Sequence, residues 1–300
     1  MLKKEVEYWL ALQLVPRLAI HKKIALVEKH GLAQLFQSSM LIETLQLTDK
    51  QIKAFLQPDW LKITQIINQT QACQSDILGF DHPDYPQLLK EIYDPPLVLF
   101  VKGNRKLLNK PQVAIVGSRS ATVSGCETAV DLSQQLAILG LVITSGLALG
   151  IDAAAHRGAL GRNGATIAVI ATGIDLVYPQ RHKKLMANIV ERGGTIISEF
   201  LPGTPPKPGH FPKRNRVISG LSKGVLVVEA ALKSGSLITA QCALEQGREV
   251  YAVPGAIGNP LIKGCHWLIK QGAKLVEECE DIIKELDLVQ INDNKAVVKP

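Results

Sequence analysis

From Pro111 onward the chain alternates short apolar runs, rich in β-branched residues, with segments of helical length, and this alternation leaves few folds open. The runs are QVAIVG, LVITSG, TIAVIA, TIISE, GVLVVEA and EVYAVP; between them lie SGCETAVDLSQQLAILG, GIDAAAHRGALG, PQRHKKLMANIVERG, the RNRVISGLS stretch and SGSLITAQCALEQG. A strand that is apolar at successive positions offers no face to water, so its sheet must be covered on both sides. Helix-length connections supply that cover, and right-handed crossovers make the strands parallel. The expected fold class is α/β: a Rossmann-like, doubly wound, mainly parallel sheet. Ligands of such sheets bind beyond the carboxyl ends of the strands, near the point where strand order reverses. Function is therefore to be sought in residues that directly follow the runs.

The 300 residues divide unevenly. Segments YWLALQLV, HKKIALVEKHG and LAQLFQSS repeat apolar residues at three- and four-residue spacing, so 1–75 reads as a small all-α domain. Gly31 suits a helix end, and Thr48 with Gln51 a capping box. The stretch ALQLVPRLAIHKKIALVEKHG resembles a sterile-alpha-motif or helix-hairpin-helix unit, but Val15-Pro16-Arg17-Leu18 lacks hairpin glycines. That points to packing or partner binding rather than direct DNA contact. Residues 76–110, rich in Pro, Asp and Tyr, read as a linker and extended segment ending in one strand, LVLFVKG. The Rossmann-like domain is expected over 111–286, with a C-terminal tail over 287–300. Five scattered cysteines form no C-x-x-C pair, which argues against a disulfide framework or zinc site and fits a reducing cytoplasm. No long uncharged apolar stretch suggests a membrane span or signal core.

Charge is concentrated. Residues 181–224 carry nine Lys and Arg against two Glu, an excess equal to the whole chain's net +7. Such a local surplus suits a polyanion footprint, and equally a solvated face.

Several strand ends carry chemistry. Gly117-Ser118-Arg119 follows QVAIVG: the glycine allows close backbone approach, the serine offers a hydroxyl, and the arginine a planar fork for phosphate. Neither G-x-G-x-x-G nor a Walker loop is present. Ser145–Asp152 places two glycines before AAAHRGAL, where Asp152 could cap the helix and, with His156 at i+4, form a structural hydrogen bond or a catalytic or metal pair. In Phe211-Pro212-Lys213-Arg214-Asn215-Arg216, an aromatic platform accompanies three cations in four residues, a combination suited to single-stranded nucleic acid. Glu229 ends another run as an acid/base candidate or an orienter of Arg214 or Arg216; Ser236 is a candidate N-cap in the loop from Lys233 to Thr239, which could receive another phosphate. Cys265 and His266 are adjacent and would face apart on a helix, so no catalytic pair is expected.

In their order, GSR at 117–119, SGLALGIDAAAHRGAL at 145–160, YPQRH at 178–182, FPKRNRVISGLS at 211–222, SGSLITA at 234–240 and YAVPG at 251–255 resemble the DNA-processing protein A (DprA/Smf) family, over roughly 80–285. The resemblance implies a cytoplasmic, homodimeric, non-enzymatic protein without cofactor or metal. Such a protein binds and protects single-stranded DNA and loads the recombinase RecA during natural transformation. It implies a DNA pocket of Gly117, Ser118, Arg119, Phe211, Lys213, Arg214, Asn215 and Arg216. Many members add a C-terminal winged helix, for which QINDNKAVVKP is too short. Two alternatives stand beside this reading. One is a Rossmann-fold nucleotide phosphoribohydrolase of the lysine-decarboxylase-like type, using Glu229 and Arg214, although its P-G-G-x-G-T loop is replaced by SGSLIT. The other is an interaction scaffold with an incidental basic face.

Overall fold

The computed structural model describes residues 3–161 and 164–286; the tail at 287–300 lies outside the described residues. Six helices come first: α1 (Lys3–Leu14), α2 (Ile20–His30), α3 (Gln34–Gln37), α4 (Ser39–Thr44), α5 (Asp49–Leu56) and α6 (Trp60–Ala72). Their boundaries follow local chemistry. Gly31 ends α2 with φ of +81°, and Thr48 with Gln51 closes a reciprocal capping box on α5.

The rest alternates as the apolar runs demand: β1 (Asp76–Gly79), α7 (Gln87–Lys90), β2 (Val98–Gly103), β3 (Gln112–Val116), α8 (Val123–Ile138), β4 (Val142–Ser145), α9 (Ile151–Gly161), β5 (Thr166–Val169), α10 (Lys183–Glu191), β6 (Thr195–Ser198), α11 (His210–Leu221), β7 (Gly224–Val227), α12 (Gly235–Glu245), β8 (Glu249–Ala252), α13 (Lys263–Lys270), β9 (Lys274–Leu275) and α14 (Cys279–Glu285). All nine strands form one sheet, ordered β1-β2-β6-β5-β4-β3-β7-β8-β9. Pairing is parallel from β6 through β9 and antiparallel at β1-β2 and β2-β6. The sheet is therefore doubly wound and mainly parallel. Residues 76–110, read from sequence as a linker with one strand, supply two strands that extend the sheet, because Val98–Val101 are buried on both faces.

Alternation along each strand divides the core. Ala114, Val116, Val225 and Val227 face α11, α12 and α13, whereas Val113, Ile115, Leu226 and Val228 face α8, α9 and α14. A third cluster joins the N-terminal helices to the sheet: Trp9, Leu12, Phe55 and Ile63 pack with Val98, Phe100, Ala168 and Ile196. Polar ties reinforce that seam and the helices beside it. Trp9 Nε1 donates to Asp81 Oδ1 at 2.6 Å, and buried Lys23 donates to the carbonyls of Gln13 and Val15 at 3.1 and 2.9 Å. Among the described residues all five cysteines are free, and no helix is long and apolar enough to cross a membrane.

Candidate functional site

Strand order reverses at β3: β4 pairs on one side of it and β7 on the other. The loops after β3 and β7 must diverge there, and the ladder between them continues one step beyond the strands, where Ser118 N donates to Glu229 O at 2.7 Å. Gly117 is required at this crossing because a Cβ would strike the Ile151 side chain and the Glu229 carbonyl. Gly150, at φ +70°, lets the loop after β4 press against the backbone of Ser118 and Arg119, and Ile151 N donates to Ser118 O at 3.2 Å.

An open cleft of about 780 Å³ lies above this crossing. Its walls include Gly117, Ser118, Arg119, Phe211, Arg214 and Asn215, so six of the eight expected pocket residues converge on one place. Arg119 is exposed, and its guanidinium lies over the Phe211 ring, 5.0 Å from the centroid. Lys207 and Lys233 bring two more exposed cations to the walls, joined by Ser120, Ser234 and Tyr178. Of these last five, only Lys233 and Ser234 carry an expected role, as part of a loop that could receive another phosphate. Lys207 counts only within the charge excess, and the approach of Lys207 and Lys233 to Arg119 depends on the strand order.

The expected grip of Lys213, Arg214 and Arg216 on successive phosphates is narrower in the structure, because a helix turns consecutive residues to different sides. Arg214 is buried beneath the cleft floor: Nη1 donates to the carbonyls of Gly146 (2.6 Å) and Val169, and Nε to Asn215 Oδ1 (3.2 Å). Asn215 in turn donates from Nδ2 to Gly235 O at 3.2 Å, tying α11 to the start of α12. Lys213 and Arg216 leave the cleft for Glu199, at 3.2 and 2.7 Å, and Arg216 also meets Asp94 at 3.2 Å. Arg216 is thus held between two carboxylates, while Lys213 shares Glu199 with it and stays half exposed.

Other candidates resolve as supports. Asp152 does not cap α9; its carboxylate accepts from Gly146 N (3.1 Å) and Ala148 N (3.3 Å) and thus shapes the loop before the helix. Burial pushes its pKa up, with the Arg214 charge and the two amides acting the other way. His156 bonds not to Asp152 but to Thr166 Oγ1, at 2.7 Å. Because Thr166 Oγ1 donates its own hydrogen to Ile143 O, the imidazole proton sits on Nδ1. Burial first, and the neighbouring His182 and Arg214 next, hold its pKa down to about 3. Glu229 does not orient an arginine. It accepts from Thr122 N (2.9 Å) and Thr122 Oγ1 (2.6 Å), anchoring the start of α8. Ser234, not Ser236, caps α12 by accepting from Ser236 N at 3.3 Å. Cys265 is buried, its thiol pushed up to about 12 by burial, while His266 Nε2 donates to Gly255 O at 3.1 Å; the two form no pair. No cluster of three or more His, Cys, Asp or Glu able to hold a metal occurs among the described residues.

A cleft at the switch point of a doubly wound sheet, walled by a glycine turn, serine hydroxyls and exposed cations, defines a Rossmann-type anion-binding protein. Residues 76–287 match the family of DNA recombination-mediator protein A, and the chain belongs to that family. It is 44% identical to Protein Smf of Escherichia coli over 94% of this chain and 75% of that one. Identity to DNA processing protein DprA of Streptococcus pneumoniae is 49% over 68% of this chain and 71% of that one. The crystal structure of the pneumococcal protein matches with a TM-score of 0.82 at 39% identity, covering 93% of this chain and 97% of that one. DNA processing protein A from Helicobacter pylori, whose structure concerns its single-stranded DNA binding mode, matches with a TM-score of 0.64 at 32% identity, over 71% and 95% of the two chains.

Proposed function

We propose that the chain binds single-stranded DNA in the switch-point cleft, acts there as a cytoplasmic, non-enzymatic mediator, and hands the strand to RecA as a homodimer. The single observation that carries the reading is the convergence of Arg119, Lys207 and Lys233 on one cleft beside an arginine-aromatic stack. Cations spaced along an open groove track a phosphate backbone, and aromatic faces take unpaired bases. The single-strand binding mode described for the Helicobacter pylori relative supports the same ligand. A non-enzymatic role is supported by Glu229, whose two carboxylate oxygens are committed to Thr122.

The test is fluorescence anisotropy with oligo(dT) and with a hairpin duplex across a salt series. Wild type prefers the single strand, and Arg119→Ala lowers its affinity while flattening the salt dependence by about 0.7 in the log-log slope, the share of one phosphate. Equal affinity for duplex, or an unchanged slope in Arg119→Ala, would overturn the reading. Light scattering tests the dimer, and the lag before RecA filament growth on protein-coated strand tests loading.

A further inference from the structure

The aromatic residue beside the cations is not a free platform. Phe211 is half-buried, and the Arg119 guanidinium lies over its ring, 5.0 Å from the centroid. The next ring outward is Tyr178, whose centroid lies 5.6 Å from that of Phe211 at an interplanar angle of 53°. Tyr178 is 42% exposed, unusual for a ring wedged into a cleft wall. It borders both the large cleft and a smaller recess lined by Leu147, Leu149, Ala171 and Pro179. Its chain position is fixed from below: His182, four residues on, is buried and donates from Nδ1 to Leu147 O at 2.9 Å.

We propose that Tyr178 is the base-stacking residue of the cleft, with Phe211 as the middle layer that orients both Tyr178 and Arg119. This rests on the cleft's being the single-strand site. The chemistry is that of an unpaired nucleobase: a flat π-surface that gains from an exposed aromatic face and needs no sequence-specific hydrogen bond. With Arg119 over the same central ring, the phosphate flanking the stacked base has a cation within reach. Only an unpaired base can reach Tyr178, so this residue contributes preference for single strands over duplex, whereas Arg119, Lys207 and Lys233 contribute charge that either form satisfies.

The experiment uses the full chain with oligo(dT) and a hairpin duplex, comparing wild type, Tyr178→Ala and Tyr178→Phe. Tyr178→Ala lowers single-strand affinity about tenfold, with duplex affinity and salt slope unchanged, because no phosphate contact is lost. Tyr178→Phe stays within about twofold of wild type, because stacking needs the ring and not the hydroxyl. Irradiation of wild type on oligo(dT) carrying 5-iodouracil places the crosslink at Tyr178, a readout that needs no variant to fold. Wild-type affinity in Tyr178→Ala, or a crosslink at Phe211 with none at Tyr178, overturns the proposal and makes Phe211 the platform. Failure of the underlying reading looks different: wild type then shows no single-strand preference, and Arg119→Ala no effect.

Discussion

Arg214 lies within the most basic stretch of the chain, yet its removal should damage the fold rather than a phosphate contact. In Arg214→Met the apolar stem is approximated and the guanidinium is lost. Two buried carbonyls, Gly146 O and Val169 O, lose their donor, and Asn215 Oδ1 loses another. Asp152, buried and already pushed up in pKa, loses the positive charge that counteracts its burial. Hydrogen bonds to a charged donor are worth about 1.5–3 kcal/mol each, and removing one partner of a buried charge pair costs about 3–5 kcal/mol in all. Allowing for relaxation around the smaller side chain, the loss should be about 3–5 kcal/mol. At roughly 2–4 °C per kcal/mol for a chain of this order, the melting temperature falls by about 6–20 °C in differential scanning calorimetry. The salt slope for oligo(dT), measured at a temperature where the variant is still folded, stays at the wild-type value. An unchanged melting temperature with a slope shallower by about 0.7 would refute the burial argument and return Arg214 to the phosphates.

His156 gives a pH signature. Its folded pKa of about 3 lies below the ordinary 6.5, so between those values the unfolded chain binds a proton that the folded chain does not. Its share of stability thus falls as pH falls through that window, by about 2–3 kcal/mol at pH 4.5, and urea melts of His156→Gln should lack this loss. Lys23 acts in the alkaline range: burial first, and Lys213 second, lower its pKa from 10.5 to about 8. Stability from this group rises as pH climbs from about 8 towards 10.5, and Lys23→Met should remove the rise in melting temperature between pH 7.5 and 9.5. Glu229→Ala should lose about 1–3 kcal/mol by releasing Thr122 at the start of α8. Nucleoside monophosphates incubated with wild type should release no free base by chromatography; release that Glu229→Gln abolished would favour the hydrolase reading.

How far the sequence reaches can be judged at particular residues. Six strands from Pro111 onward announce themselves because a strand buried on both faces is mostly apolar at successive positions. The Thr48 capping box and the helix end at Gly31 are equally local, since each is satisfied within a few residues. That Gly117, Ser118 and Arg119 line the cleft was legible for a related reason: they directly follow β3, and the ends of such strands open onto the switch point, whereas Phe211 reaches the same cleft from the first turn of α11. β1 escaped, because Asp76–Gly79 is only half covered and its partner β2 follows after eighteen intervening residues. Direction and distance were the other blind spots. Three cations in four residues look alike in one dimension, but the turn of α11 buries Arg214 under the floor and sends Lys213 and Arg216 to Glu199. Lys207, Lys233 and Tyr178 join Arg119 only because β3 lies between β4 and β7, so that loops far apart in sequence meet at one edge. Composition and periodicity determined that a doubly wound sheet forms and which residues end its strands, since burial is a local demand on each residue. Which charges face the cleft was decided only by tertiary structure, because a charge is directed by the partner it finds across the fold.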